Sequence, residues 1–349
     1  MMDWTDRHCR YFLRGFSPDT LLYTEMITAE ALLRGDAARL LRYSAEEHPL
    51  ALQIGGSDPQ RLAAAARLGE QAGYVEVNLN CGCPSERVHA GAFGACLMAE
   101  PERVANCVAA MQAVVTIPVT VKMRIGIITR EPAGRDAIAS LPVRQRLDHY
   151  GEQDYAQLLN FTEAVSAAGC RVFVVHARQA VLGGLSPKEN REVPPLRPQI
   201  VQRLAAQFPK LEWVLNGGLR GVAQAQDALQ WCSGVMLGRE AYHRPYLLSE
   251  LQQQIFGGAR DQKPWRRPSE AALLERMACY AERETAAGEP LSAITRHMFG
   301  LYAGQPGARA YRQHLSEGAR LPGAKAVLLR EAAVLREAAP ACEPTRAAG

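Results

Sequence analysis

The sequence predicts an α/β protein: a (β/α)₈ TIM barrel whose first strand is missing from the chain, followed by a C-terminal helical domain. Short apolar runs rich in β-branched residues alternate with helical patterns, which indicates a parallel sheet covered on its outside. Polar or glycine residues repeatedly close those runs, so several strands deliver functional groups at the same end, as in a barrel active site rather than the single crevice of an open sheet. Strand signals then stop after about Tyr246.

The clearest strands are Leu50–Ile54, Tyr74–Leu79, Pro118–Lys122, Val172–His176, Leu211–Leu215 and Gly234–Gly238, with Leu21–Met26 weaker. The groups at their ends are Gln53, Asn80, Lys122, His176, Asn216 and Arg239. The count is one strand short of a barrel, and the chain opens at Met1-Met2-Asp3-Trp4 with no apolar run before its first helical stretch. An upstream strand is therefore expected, because a barrel without it exposes two edges. Thr129–Tyr150 reads as an insert after the strand that carries Lys122, either a loop at the active-site mouth or a solvated insertion. Pro268–Gly288, Leu291–Leu301 and the stretch Ala308–Ala338 read as helices. The expected division is 1–246 for the barrel, 247–339 for the helical domain, and 340–349 as a frayed tail.

With 349 residues, 48% of them hydrophobic, the chain can fill a barrel of roughly 250 residues and an appendage of about 100. No apolar run reaches the ~20 residues that span a bilayer, and no signal-peptide order opens the chain. A soluble, cytoplasmic protein is expected, and nothing suggests an obligate dimer, so a monomer is the simplest assembly. The nine cysteines are odd in number and scattered, which fits reduced thiols better than a disulfide framework. A net charge of +4 excludes no class, since a local basic face is enough to bind nucleic acid.

Asn216-Gly217-Gly218 and Gly238-Arg239 each follow a buried-type strand near the end of the barrel order. Loops in those places commonly hold a phosphate, because glycines let backbone N–H groups approach an anion and Arg239 can add a charge-assisted bond. A phosphorylated ligand is implied, and FMN fits better than NAD because no G-x-G-x-x-G opens the chain. Lys122 ends an apolar strand, where an unpartnered ammonium is costly. Beside a flavin ring it would stabilise the anionic reduced form. His176 is either a satisfied core histidine or part of the same site. Cys81 and Cys83 invite a zinc reading, but no second Cys/His pair stands at finger-like spacing, so no metal is expected. Cys96 lies on a glycine-rich loop, either as a small buried hydrophobe or as a protonated thiol serving as general acid.

The strings Met1-Met2-Asp3-Trp4-Thr5-Asp6-Arg7-His8, Leu52-Gln53-Ile54-Gly55-Gly56, Asn78-Leu79-Asn80 with Gly82-Cys83-Pro84-Ser85, Gly94-Ala95-Cys96-Leu97-Met98, Val121-Lys122-Met123-Arg124 and His176-Ala177-Arg178 closely resemble the tRNA-dihydrouridine synthases. Leu185-Ser186-Pro187-Lys188-Glu189-Asn190-Arg191-Glu192 resembles the branch acting on positions 20 and 20a of tRNA. The likeness runs in order from the first residue to about Glu317, interrupted mainly by the insert. It implies FMN over a barrel, contacted by Met1, Met2, Gln53, Lys122, His176, Asn216, Gly217, Gly218, Gly238 and Arg239. It also implies Cys96 as proton donor, NADPH as reductant, and tRNA contacts at Phe93, Lys188, Arg191, Arg309 and Arg312. Asn80 and Arg178 are expected to orient the uracil edge. Arg309 and Arg312 are three apart, hence on one helical face, where two cations meet a backbone or merely solvent.

The chain departs from this family in three places. It lacks the strand ending in Ala-Pro before the first methionine, has Cys81 where a small aliphatic residue is expected, and carries the insert. Two rival functions remain: a flavin barrel reducing a free pyrimidine or small enone, which has no use for the helical domain, and a colourless tRNA-binding protein. The tight loop around Cys96 and the phosphate-type glycines argue against the second.

Overall fold

The computed structural model describes residues 1–85, 93–129, 143–183, 185–257, 259–260 and 263–337. The centre of the insert and the tail from 340 lie outside the described residues. The chain divides into two units: Met1, Tyr23–Tyr43 and Pro49–Leu237 form the first, while Met2–Leu22, Ser44–His48 and Gly238–Gly349 form the second.

Among the described residues nine strands run up to Met236, in chain order β1 Leu22–Thr28, β2 Leu50–Gly55, β3 Glu76–Cys81, β4 Val119–Arg124, β5 Ile127–Thr129, β6 Val172–His176, β7 Ala180–Leu182, β8 Glu212–Asn216 and β9 Gly234–Met236. Seven of them make one sheet in the order β1-β2-β3-β4-β6-β8-β9, and β5 pairs with β7 in a small sheet of its own. From β2 onward each neighbour in the large sheet is parallel to the last. Its spatial order never reverses the chain order. That is the winding of a barrel, since a doubly wound sheet must reverse at a switch point. All seven strands expected from sequence are present, and the α/β class holds.

The ends differ in detail. β3 begins at Glu76 rather than Tyr74, because Gly73 turns the chain at φ +94° and the buried Tyr74 donates its hydroxyl to the Leu41 carbonyl at 3.1 Å. β9 ends at Met236, two residues short of the expected Gly238. The short β5 and β7 were not foreseen.

Local sequence explains the covering helices. Helix Pro59–Gln71 starts where Asp58 accepts from the Arg61 N–H at 2.8 Å, with Pro59 in its first turn. Its Gly69 presses on the sheet, since a Cβ there would stand 2.6 Å from Leu52 Cδ2. Helices Pro101–Gln112 and Glu152–Ala167 follow, each packed on its predecessor. Strand β3 alternates Val77, Leu79 and Cys81 with Glu76, Asn78 and Asn80, yet every one of them is buried. Both faces are covered: the apolar set serves the helices, and the polar set finds partners on neighbouring strands.

In the second unit, helix Arg7–Arg14 groups with helices Tyr246–Ile255, Glu270–Ala286, Leu291–Thr295, Ala308–Gly318 and Val327–Glu337. Tyr11 stacks on Tyr280 with ring centroids 4.0 Å apart, and Arg7 pairs with both Glu284 and Glu289. Among the described residues, no helix is long and apolar enough to cross a membrane.

Candidate active site

Parallel register sorts the polar side chains of the first unit into steps along one face of the sheet, because residues paired in register point the same way. Gln53, Asn78 and Thr120 share one step. Asn80, Lys122, Val174 and Val214 share the next, and Arg124, His176, Asn216 and Met236 share the third, at the carboxyl ends.

A hydrogen-bonded chain runs through the first two steps. Tyr23 Oη donates to Glu76 Oε1 at 2.6 Å, and Thr120 Oγ1 donates to the same oxygen at 2.7 Å. Asn78 Nδ2 donates to Thr120 at 2.8 Å and accepts from Gln53 Nε2 at 2.9 Å. Asn80 Nδ2 donates to Gln53 Oε1 at 2.8 Å, while its own Oδ1 accepts from the N–H groups of Gly82 and Cys83, both at 3.0 Å. Gln53 and Asn80 are thereby held in one orientation. Each buried link is worth about 0.5–1.5 kcal/mol net, and losing one partner costs about 1–3 kcal/mol. Burial raises the Glu76 carboxyl, and the bonds from Tyr23 and Thr120 oppose that rise. Sequence reading placed Gln53 and Asn80 but missed Tyr23, Glu76, Asn78 and Thr120. The polar alternation in β3 was the available signal.

Lys122 stands beside Asn80 with a different chemistry. Its ammonium makes no hydrogen bond or ion pair among the described residues. Burial lowers its pKa from 10.5 to about 8, with repulsion from Arg124 adding to the effect. Arg124 itself is 3% exposed. Its Nε donates to the Gly82 carbonyl at 3.1 Å and its NH1 to the Asn190 carbonyl at 2.9 Å. It has no carboxylate partner among the described residues, and burial lowers its pKa to about 10. Arg124 was quoted in the sequence only as part of a motif. Its place two residues after Lys122 on one strand face was the signal for a site residue.

His176, on the third step, explains the glycine beside it. Gly217 has φ +104°, and a Cβ there would stand 2.5 Å from His176 Cδ2. Only glycine meets both constraints. Gly218, at φ +76°, is in turn covered by Leu196. Asn216 Nδ2 donates to the Met236 carbonyl at 2.8 Å, which ties the ends of β8 and β9.

Cys96 lies in the short 3₁₀ turn Gly94–Ala99, entered through Gly94 at φ +76°. Its thiol donates to the Phe93 carbonyl at 3.1 Å and packs against Ala95, Ala180 and Leu182. Burial raises its pKa, with Glu100 adding to the rise, so the thiol keeps its proton through neutral pH. Phe93 lays its ring against the end of β2: a Cβ on Gly55 would stand 2.9 Å from Phe93 Cε2. Cys81 is fully buried on the helix-facing side of β3, away from this chemistry.

The remaining expected residues are spread out. Arg178 donates to the carbonyls of Pro194 and Glu192. Lys188 is exposed and Arg191 partly buried on either side of the buried Asn190. Met1 belongs to the first unit and is 36% exposed. Met2, Gly238, Arg239, Arg309 and Arg312 belong to the second. There Arg239 opens helix Arg239–His243, and Arg309 and Arg312 are exposed on helix Ala308–Gly318, whose buried face is Ala308, Tyr311 and Leu315.

Comparison with known proteins places this geometry. The profile of the dihydrouridine synthase (Dus) family matches residues 1–137 and 133–339. A tRNA-dihydrouridine(20/20a) synthase of Pseudomonas aeruginosa is 54% identical over 316 residues, covering 90% of this chain and 87% of that protein. Proteins of the same name from Salmonella typhi and Vibrio cholerae are 49% and 48% identical, each over 95% of this chain and more than nine-tenths of their own length. On this match and on the barrel winding of its sheet, the chain belongs to the dihydrouridine synthase family.

Proposed function

We propose that this protein is a flavin-dependent tRNA-dihydrouridine synthase, reducing the C5–C6 double bond of uridine 20/20a in the tRNA D-loop. The observation that carries the reading is the partly buried Lys122 ammonium, which the described residues leave without an ion pair, one step from the His176–Gly217 contact. A fold keeps such a cation where a ligand supplies the compensating charge. The donor set fits FMN: Gln53, Lys122, His176 and Asn216 share one face of one sheet, and Gly217 follows directly after Asn216; Gly238 and Arg239 are further proposed contacts. Met1 and Met2 complete the proposed contacts. When bound, the flavin supplies the hydride for uracil C6, having been reduced by NADPH.

The chain's own residues do the rest. The target uridine leaves its stack to reach the pocket. Asn80, pinned by Gln53, and Arg178 hold the uracil edge, and Arg124 adds a fixed positive charge beside it. Cys96 keeps a proton on Sγ at neutral pH and delivers it to C5. Phe93, Lys188, Arg191, Arg309 and Arg312 meet the RNA. On this reading the barrel unit does the chemistry and the C-terminal helices of 247–339 dock tRNA, in a cytoplasmic monomer.

The test is Cys96→Ala, measured against wild type by visible spectrum and by dihydrouridine formed on unmodified tRNA. The variant should keep the flavin band and its bleaching by NADPH, and lose product formation by about 10²–10⁴-fold. Near-normal turnover sinks the acid assignment. A wild type that stays colourless after FMN loading sinks the whole reading.

A further inference from the structure

We propose that a cleft in the helical unit is a second RNA subsite, which takes one unstacked nucleotide other than the target uridine; that the RNA is tRNA rests on the reading above. The cleft has a volume of about 430 Å³, within the range of sites for a nucleotide-sized ligand. One wall comes from helix Leu291–Thr295 and the 3₁₀ turn Arg296–Met298, which supply Ser292, Thr295 and Arg296, with Phe299 directly after. The other comes from the end of helix Ala308–Gly318, with Ser316, and from Arg320 just beyond it. Spacing sorts the first wall. Leu291, Ile294 and Met298 are buried in the core of the unit, which leaves the polar set for the cleft.

The chemistry of the lining fits a phosphate and a base. None of the lining residues is acidic, and two of them are arginines. Arg320 makes no ion pair among the described residues. Arg296 is steadied by Asp6, whose carboxylate also accepts from the Cys9 N–H at 2.9 Å, so its guanidinium is set before a ligand arrives. Thr295 lines the cleft although it is only 1% exposed, and its hydroxyl has no hydrogen-bond partner among the described residues. Thr285 of the same unit, by contrast, donates to the Ala281 carbonyl at 2.7 Å. A buried hydroxyl without a partner burdens the fold, and a ligand oxygen removes that burden. Phe299, half-buried, supplies the aromatic surface on which a base stacks. The cleft also continues a surface proposed above for RNA. Arg309, Arg312 and Ser316 are spaced by three and four residues, so they share one face of helix Ala308–Gly318, and Arg320 extends the stripe. A strand whose phosphates follow Arg309 and Arg312 meets the cleft at the end of the same helix.

The experiment compares the full-length holoenzyme with Thr295→Val, Arg320→Ala and Phe299→Leu. The readouts are binding of unmodified tRNA, steady-state dihydrouridine formation, and flavin reduction by NADPH. Thr295→Val keeps the shape and removes only the unpaired hydroxyl. Its thermal midpoint should hold or rise, while the Kd for tRNA climbs about 3- to 10-fold. Phe299→Leu keeps apolar bulk without the ring, and should raise Kd about 5- to 50-fold. Arg320→Ala should lower the salt slope of binding by about one. In all three, KM for tRNA should rise with Kd, while kcat and flavin reduction stay within about twofold. Wild-type binding by both Thr295→Val and Arg320→Ala overturns the proposal, and so does a fall in kcat at unchanged Kd. Slower flavin reduction with tRNA binding intact overturns it too, and gives the cleft to the dinucleotide NADPH instead. If Phe299→Leu does not fold, the other two variants decide. A wild type that binds tRNA through this cleft but forms no dihydrouridine sinks the functional reading and leaves the subsite. One that forms dihydrouridine while its variants bind tRNA unchanged sinks the subsite alone.

Discussion

Buried cations are treated in opposite ways in the two units. In the helical unit, Arg10 donates to Glu47 at 2.7 Å and to the Thr5 carbonyl at 2.8 Å, and Glu47 is completely buried. Arg14 caps the same residue through the Glu47 carbonyl at 2.8 Å, and Arg7 pairs with Glu284 and Glu289. In the barrel unit, Lys122 and Arg124 have no carboxylate among the described residues, and both pKa values are lowered by burial. Arg7 and Arg10 are neutralised inside the fold; on the proposed function, Lys122 and Arg124 are left for a ligand to neutralise, and the apoprotein bears the cost.

The comparison breaks most sharply at Glu47. Glu47→Gln leaves Arg10 buried without its counter-charge, and should cost about 3–5 kcal/mol in denaturant unfolding. A cost below about 1 kcal/mol would mean that the pair is no tighter than a surface salt bridge.

Lys122→Met should have the opposite sign. It removes a cation that the fold does not neutralise, so the apoprotein should gain about 1–2 kcal/mol while flavin retention falls. The pH dependence sharpens this. The unfolded chain holds the Lys122 proton up to 10.5, whereas the folded chain releases it from about 8. Between those values the unfolded state binds more protons, so this lysine makes stability rise with pH across that window. The variant should lack that slope, and an unchanged slope would assign it to another group.

The smallest effect belongs to the exposed pair. Arg309→Ala with Arg312→Ala should change stability by no more than about 0.5 kcal/mol. Affinity for tRNA should fall across tRNA species, and its salt dependence should flatten by about one to two units of slope. Unaltered binding would return both arginines to the solvated face that sequence alone also allowed.

Much of the barrel was legible because its strands are covered on both faces. Leu50-Ala51-Leu52 and Val172-Phe173-Val174-Val175 are apolar without interruption, and such runs declare themselves locally. The strand-end groups Gln53, Asn80, Lys122, His176 and Asn216 were legible for the same reason: a polar residue closing an apolar run stands out. β5 and β7 were not, since three residues cannot display a period and their pairing joins Ile127–Thr129 to Ala180–Leu182 across the fold.

By itself the sequence determined the alternation of strand and helix, the polar groups that close the strands, and the motifs of the family. Only the tertiary structure decided which polar groups meet: Glu76 with Tyr23 and Thr120, Arg124 with the Asn190 carbonyl, and Arg7 with Glu284, 277 positions further along. Periodicity is written in neighbouring residues, and any short window contains it. A buried polar group is satisfied by whatever the fold brings to it from far along the chain, and no local window holds that partner.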